Sequence, residues 1–266
     1  MEVLGYIFAI VIGFVLGFLG GGGSVLSVPV FVYLFGMDAM TATSLSLFVV
    51  GVTSTVGSVK FLRQGLVDFK TALMFGGPSV LGILFSRRLV LPHLPEYIIN
   101  RWGITLTKEM FILVLFAVLM LISAVKMIGK DQRPRVSKWD RPNYTILASQ
   151  GILVGILTGL IGAGGGFLIV PALVMLLGVG MKNAVATSLF IIAINSLIGF
   201  GSSLDKVTVD WFFLLSFSAL SVVGILLGVG LSKKVEGRKL KPVFGWFILI
   251  LGVWIIFSEL FLRHVR

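Results

Sequence analysis

Apolar residues run along this chain in eight long blocks separated by short polar gaps. The charge-free blocks are Val3–Met37, Ala39–Val59, Thr71–Ser86, Met110–Val125, Pro142–Met181, Asn183–Leu204, Trp211–Ser232 and Pro242–Ser258. Most approach the roughly 20 residues that a bilayer crossing needs. The shortest can be extended by Lys and Arg side chains that snorkel at their ends. The first and fifth blocks, Val3–Met37 and Pro142–Met181, are far longer than the rest. A single helix of that length would exceed about 50 Å, against a hydrocarbon core of about 30 Å. Each is broken by glycines and then a proline, leaving only Ser24–Gly36 and Gly166–Gly178 after the break. Such a remnant reaches roughly 20 Å, too short to cross. The pattern therefore predicts a hairpin of two helices in each block, with a glycine tip inside the membrane.

The two broken blocks are copies. Gly17–Gly36 returns in the second half as Gly159–Gly178, and ten of the twenty positions are identical. Five glycines and a proline fall in register, which apolar bias alone does not produce. Ala42-Thr43-Ser44-Leu45 matches Ala186-Thr187-Ser188-Leu189 after a two-residue insertion, which sets Asn195 opposite Gly51. Val67-Asp68-Phe69 matches Val209-Asp210-Trp211, and Gly82 matches Gly224. A glycine-broken segment repeated in both halves of an oily chain points to a transporter site between repeats.

Charge decides between topologies. With one crossing per broken block, the 22 basic residues split 12 to 10 across the membrane. With hairpins the split becomes 15 to 7, the larger share lying with the basic linker that holds Lys126, Lys130, Arg133, Arg135, Lys138 and Arg141. The positive-inside bias favours the hairpins, although Arg87, Arg88, Arg101 and Lys108 fall on the minority side. A hairpin plus three spans makes an odd number of crossings, so the second half enters inverted.

The expected fold is an all-α polytopic membrane protein of two inverted repeats, each a hairpin plus three transmembrane helices. The first repeat covers 1–128, with its hairpin at 3–36 and helices near 39–60, 67–88 and 106–128. A basic cytoplasmic linker covers 129–142. The second repeat covers 143–266, with its hairpin at 143–178 and helices near 183–204, 209–231 and 241–262.

Composition agrees with this reading. Hydrophobic residues make up 57% of the chain and charged residues 12%, about half the charge of a soluble domain. The net charge of +11 sits in the gaps between blocks, which argues for topology and against nucleic acid. With no cysteine, disulfides and thiol chemistry are excluded. The two histidines, His93 and His264, lie outside the apolar blocks, and no phosphate loop or nucleophile elbow is present. No enzyme, cofactor or metal site is expected.

Candidate chemistry lies at the hairpin tips. Gly20, Gly21, Gly22, Gly23 and Ser24 in the first half, and Gly162, Ala163, Gly164, Gly165 and Gly166 in the second, set bare backbone N–H groups at the mouth of a short helix. Free donors and the positive dipole end together favour an anion; the same glycines would also serve a tight turn. Two inverted tips could hold a small anion without a basic side chain, and none is expected deep in an apolar block. Thr43, Ser44, Thr187 and Ser188 open the following helices, as caps or as lining. Asn195, an amide inside an apolar helix, needs a partner. Asp68 and Asp210 read as helix caps, and Gly13, Gly17, Gly155 and Gly159 as packing positions.

The two segments GGGGSxLxVPVFxxLFG and GAGGGFLIVPALxMLLG, each followed by A-T-S-L, resemble the TauE/SafE family of membrane permeases over nearly the whole chain. The resemblance implies a secondary transporter of small sulfur-containing anions, such as sulfite or organosulfonates, and the tip residues with Thr43, Ser44, Thr187 and Ser188 as its site. The same donors would serve an anion channel or a carrier of another small organic anion. The expected partners are that anion and membrane lipid in a cell inner membrane, with homo-oligomerisation left open.

Overall fold

The computed structural model describes residues 2–95, 97–101, 104–129, 144–162, 164–175 and 177–258. Ala163, nearly all of the expected linker and the end of the last expected helix lie outside the described residues. Helix α1 (Glu2–Leu19) is followed by α2 (Ser24–Pro29), which continues as a π-helical turn over Val30–Leu34. Then come α3 (Ala39–Leu62), α4 (Phe69–Phe85) with a π-helical extension Ser86–Val90, and the short α5 (Leu91–His93). A two-stranded antiparallel hairpin, β1 (Tyr97–Arg101) and β2 (Ile104–Thr107), leads into α6 (Lys108–Ile128). The second half holds α7 (Tyr144–Ile161), α8 (Gly166–Met175), α9 (Met181–Gly201), α10 (Trp211–Lys234) and α11 (Gly237–Phe257).

Six of these helices are long and apolar enough to cross a membrane, and the four that form the two broken blocks are shorter. Large apolar side chains such as Leu73, Leu81, Phe212 and Ile250 point outward. Facing lipid rather than water, such residues cost nothing, so the fold is that of a multi-pass helical membrane protein. The β-hairpin is the one departure among the described residues from an all-helical chain.

Helix starts follow local chemistry. Asp38, Asp68 and Asp210 are extended N-caps whose carboxylates accept backbone N–H groups from Thr41, from Lys70 and Thr71, and from Phe213. The cap positions Asp38 and Gly180 are separated by the same interval as Gly17 and Gly159, and so are Asp68 and Asp210. The intervening segments have equal length, so the two-residue insertion expected from the A-T-S-L match is not carried through the helices. Asn195 is therefore level with Thr53 rather than Gly51.

The first broken block doubles back. Gly23 lies against Ile12 and Leu16 of α1, while Phe35 lies on Gly5 with its ring 6.5 Å from that of Tyr6. The chain after the tip thus retraces α1 toward its start. Gly20 and Gly162 end α1 and α7 at φ +76° and +74°, a conformation open to glycine.

The two halves interlock through glycines. Gly13 and Gly17 of α1 sit on the carbonyls of Ser221 and Ile225 in α10. Gly155 and Gly159 of α7 sit on those of Ser79 and Ile83 in α4, the same two contacts made by the matching positions of the opposite halves. Gly224 on Ile10 and Gly82 on Ile152 form a third such pair. Without a Cβ, the helix backbones approach closely in a medium where apolar burial drives nothing. Helices α3 and α9 run antiparallel, with Gly51 on Leu197, Gly57 on Leu189 and Gly199 on Leu47. Helices α6 and α11 do likewise, with Gly245 at Met127–Ile128 and Gly252 at Met120–Leu121.

Candidate functional site

The two glycine tips meet. A Cβ on Gly166 would fall within 3.0 Å of the Gly21 backbone, and one on Gly21 would strike Gly166. The tips flank the paired α3 and α9 from opposite ends: Gly20 packs on Val185 near the start of α9, and Gly162 on Thr43 near the start of α3. Their contact is level with Ile192, midway along α9.

Their polar surroundings differ. The carbonyls of the first tip all find donors. Ser24 donates from its hydroxyl to the Gly21 carbonyl at 2.7 Å, and Ser188 donates to the Gly20 carbonyl. The N–H groups of Ser24, Val25 and Leu26 donate to the carbonyls of Gly21, Gly22 and Gly23. Among the expected donors the turn thus uses the N–H groups of Gly20 and Ser24, and leaves those of Gly21, Gly22 and Gly23 outside these bonds. Gly22 faces the Phe247 ring.

At the second tip, Gly162, Gly164 and Gly165 all have positive φ and each faces a polar side chain. The Arg87 Nη2 lies 2.9 Å from where a Cβ on Gly162 would sit. The Ser196 hydroxyl lies 2.8 Å from that position for Gly164, and the Thr158 hydroxyl is nearer still for Gly165. All three groups are buried and lack a hydrogen-bond partner. Ser86, beside Gly159, has a third such hydroxyl.

Arg87 corrects the expectation of a site without a buried cation. It follows α4 and is only 2% exposed. Its Nη1 donates to the hydroxyls of Ser203 and Ser44, while Nε and Nη2 have no acceptor. Among the described residues no carboxylate pairs with it. A buried guanidinium normally has a counter-charge, since the uncompensated charge costs several kcal/mol. Its neighbour Arg88 is exposed.

The remaining expected residues divide by role. Thr43 and Ser44 donate to the Met40 carbonyl, and Ser44 also accepts from Arg87. Thr187 accepts the Asp68 N–H at 3.0 Å and so fastens the α4 start to α9. Asn195, 1% exposed, exchanges hydrogen bonds with Ser79 of α4 at 2.7 and 3.0 Å. Ser221, the counterpart of Ser79 in the second half, has an unpartnered hydroxyl. On the far side of the bundle, near the start of α9, an open cleft is lined by Phe61, Gln64, Leu66, Lys182, Ser232 and Lys233.

Sequence reasoning missed Arg87, Thr158, Ser196 and Ser203. One signal was there: extending the Gly82/Gly224 match sets Arg87 opposite Val229, which is fully buried. An arginine in an apolar register position is an interior charge.

Comparison with known proteins agrees with this architecture. The family model described as Sulfite exporter TauE/SafE matches residues 5–255. The chain is 26% identical to the "Probable membrane transporter protein YunE" of Bacillus subtilis, over 97% of this chain and 100% of that one. It is 28% identical to a "Probable membrane transporter protein" of Xylella fastidiosa, covering 93% and 92% of the two chains. A counterpart of the same description in Methanocaldococcus jannaschii is 24% identical, covering 93% and 94%.

Proposed function

The chain belongs to the TauE/SafE family, a membrane transporter family rather than an enzyme family, and from that premise we propose that it exports small sulfur-containing anions, such as sulfite or organosulfonates, across a cell inner membrane by alternating access. The observation that carries the reading is the backbone contact between Gly21 and Gly166. In this reading it joins two hairpins that enter from opposite sides, and the matching glycine contacts between the halves support that. This is the arrangement of an inverted-repeat carrier, in which one repeat rocks against the other about a central barrier.

The tips and their surroundings, Gly20–Ser24, Gly162–Gly166, Thr43, Ser44, Thr187, Ser188 and Asn195, form the transport path in this reading. Serine, threonine and backbone donors at the second tip suit the oxygens of a sulfite or sulfonate group. The cleft with Lys182 and Lys233 would gather anions on the side of the basic linker. The membrane potential can drive exit, since moving one negative charge outward is worth about 2.3 kcal/mol per 100 mV.

Proteoliposomes loaded with radiolabelled sulfite or a sulfonate test the proposal. Saturable flux with counterflow of unlabelled anion is expected. A single-channel current without counterflow would replace the carrier with a channel, and no flux across a panel of anions would overturn the reading.

A further inference from the structure

Buried hydroxyls without partners occur in both halves, Thr53, Ser54 and Ser221 among them, but the one buried cation without a full set of partners among the described residues lies at the second tip. Arg87, Thr158 and Ser196 each place an unpartnered atom against the second tip, where Gly162, Gly164 and Gly165 expose backbone. Both tips make hydrogen bonds within their own segments, but the residue that corresponds to Arg87 at the first tip is Val229. The fold is thus nearly two-fold in backbone and one-sided in charge.

We infer that Arg87, with the Ser44 and Ser203 hydroxyls that hold it and Gly162, which it faces, forms a binding site for one small oxyanion. This deepens the transport reading and rests on it for the identity of the ligand. The chemistry is specific to that class. Nε and Nη2 of one guanidinium lie in a plane and present two parallel N–H donors, the geometry that engages two oxygens of a sulfonate, sulfite or carboxylate group. Ser44 and Ser203 pin Nη1, which fixes the plane and leaves the Nε–Nη2 edge free. The Thr158 and Ser196 hydroxyls extend the donors along the turn toward the tip contact. One positive charge, with no carboxylate paired to it among the described residues, suits a ligand of one negative charge. Chloride would meet the charge but not the two-oxygen geometry.

The site lies beside the start of α3 and the end of α9, because Ser44 belongs to the second turn of one and Ser203 follows the other. In the hairpin topology this end is opposite the basic linker. Arg87 was one of the basic residues that fell against the positive-inside bias. Its burial removes it from the loop charges that set orientation and gives it another role.

The test compares wild-type protein with Arg87→Met and Arg87→Lys, purified in detergent. Thermal unfolding and equilibrium binding are read with sodium methanesulfonate and sodium sulfite against sodium chloride at equal ionic strength. Wild type should bind the oxyanions and unfold at higher temperature with them. Arg87→Met should lose binding by about a hundredfold, the worth of two charge-assisted hydrogen bonds. Arg87→Lys, which keeps charge without the fork, should fall between. Without oxyanion, Arg87→Met should unfold no earlier than wild type, since it removes an uncompensated buried charge. Equal oxyanion binding by wild type and Arg87→Met, or none by wild type, overturns the site. So does a lower unfolding temperature of Arg87→Met in chloride, which would make Arg87 a structural tie. Flux in proteoliposomes separates the two readings. Arg87-dependent binding without flux sinks the carrier and keeps the site. Flux that Arg87→Met leaves unchanged sinks the site and keeps the carrier.

Discussion

Gly21 and Gly166, from opposite halves of the chain, touch backbone to backbone midway along α9. Neither can take a Cβ without pushing the other away. In the proposed path the anion passes this contact, so small changes in volume here should act on transport. Gly166→Ala is the cleanest probe, because Gly166 is not in a positive-φ conformation. Overpacking of this kind costs about 1–3 kcal/mol. Flux should fall sharply while the protein remains inserted and helical by circular dichroism.

Valine at Gly164, which faces Ser196 and Val50, should likewise stop transport. A bulky residue at Gly22 meets only the flexible Phe247 ring directly, so it should be milder. Equal and unimpaired flux in both variants would remove the tips from the path.

The glycine ridges between α1 and α10 and between α4 and α7 have another task. Gly155→Ala sets a methyl onto the Ser79 carbonyl, and Gly13→Ala sets one onto that of Ser221. Each should lower stability by about 1–3 kcal/mol or more. The check is the yield of monodisperse protein and its unfolding temperature, which should drop for both. A normal unfolding temperature with lost flux would be the opposite pattern, that of a site residue.

Asn195 and Ser79 form a buried polar pair within the bundle. Ser79→Ala should cost about 1–3 kcal/mol by leaving the Asn195 amide unpaired. Ser221→Ala, at the corresponding position in α10, removes a hydroxyl without a partner and should be neutral or stabilising. A double-mutant cycle of Ser79→Ala with Asn195→Ala should show coupling of about 1 kcal/mol. Thermal unfolding in a single detergent reads all of these.

Asp38 provides a pH prediction. Burial raises its carboxyl pKa, but the hydrogen bonds from Thr41 and Met40 outweigh that and hold it below the ordinary 3.8. A group lowered in the folded state stabilises above its unfolded pKa and loses that contribution as pH falls through the folded value. Wild type should therefore lose unfolding temperature below about pH 4 more steeply than Asp38→Ala. At pH 7 the variant should be weaker by about 1 kcal/mol, the usual worth of such a cap.

Sequence alone determined the elements and their pairing in kind: apolar blocks of crossing length, two glycine-broken copies, Asp68 and Asp210 as caps, and Gly13, Gly17, Gly155 and Gly159 as contact surfaces. These features are local, or repeat at a fixed spacing, so they survive in one dimension. Tertiary structure decided how the tips are used. At the first tip the turn that glycine permits takes up the N–H groups of Ser24, Val25 and Leu26 on the carbonyls of Gly21, Gly22 and Gly23. Arg87 reads in sequence as the polar end of a span, one of an Arg-Arg pair. Only the approach of Ser44, Ser203 and Gly162, from three other segments, makes it an interior charge. Burial of a side chain depends on what long-range packing brings against it, and no run of neighbouring residues records that.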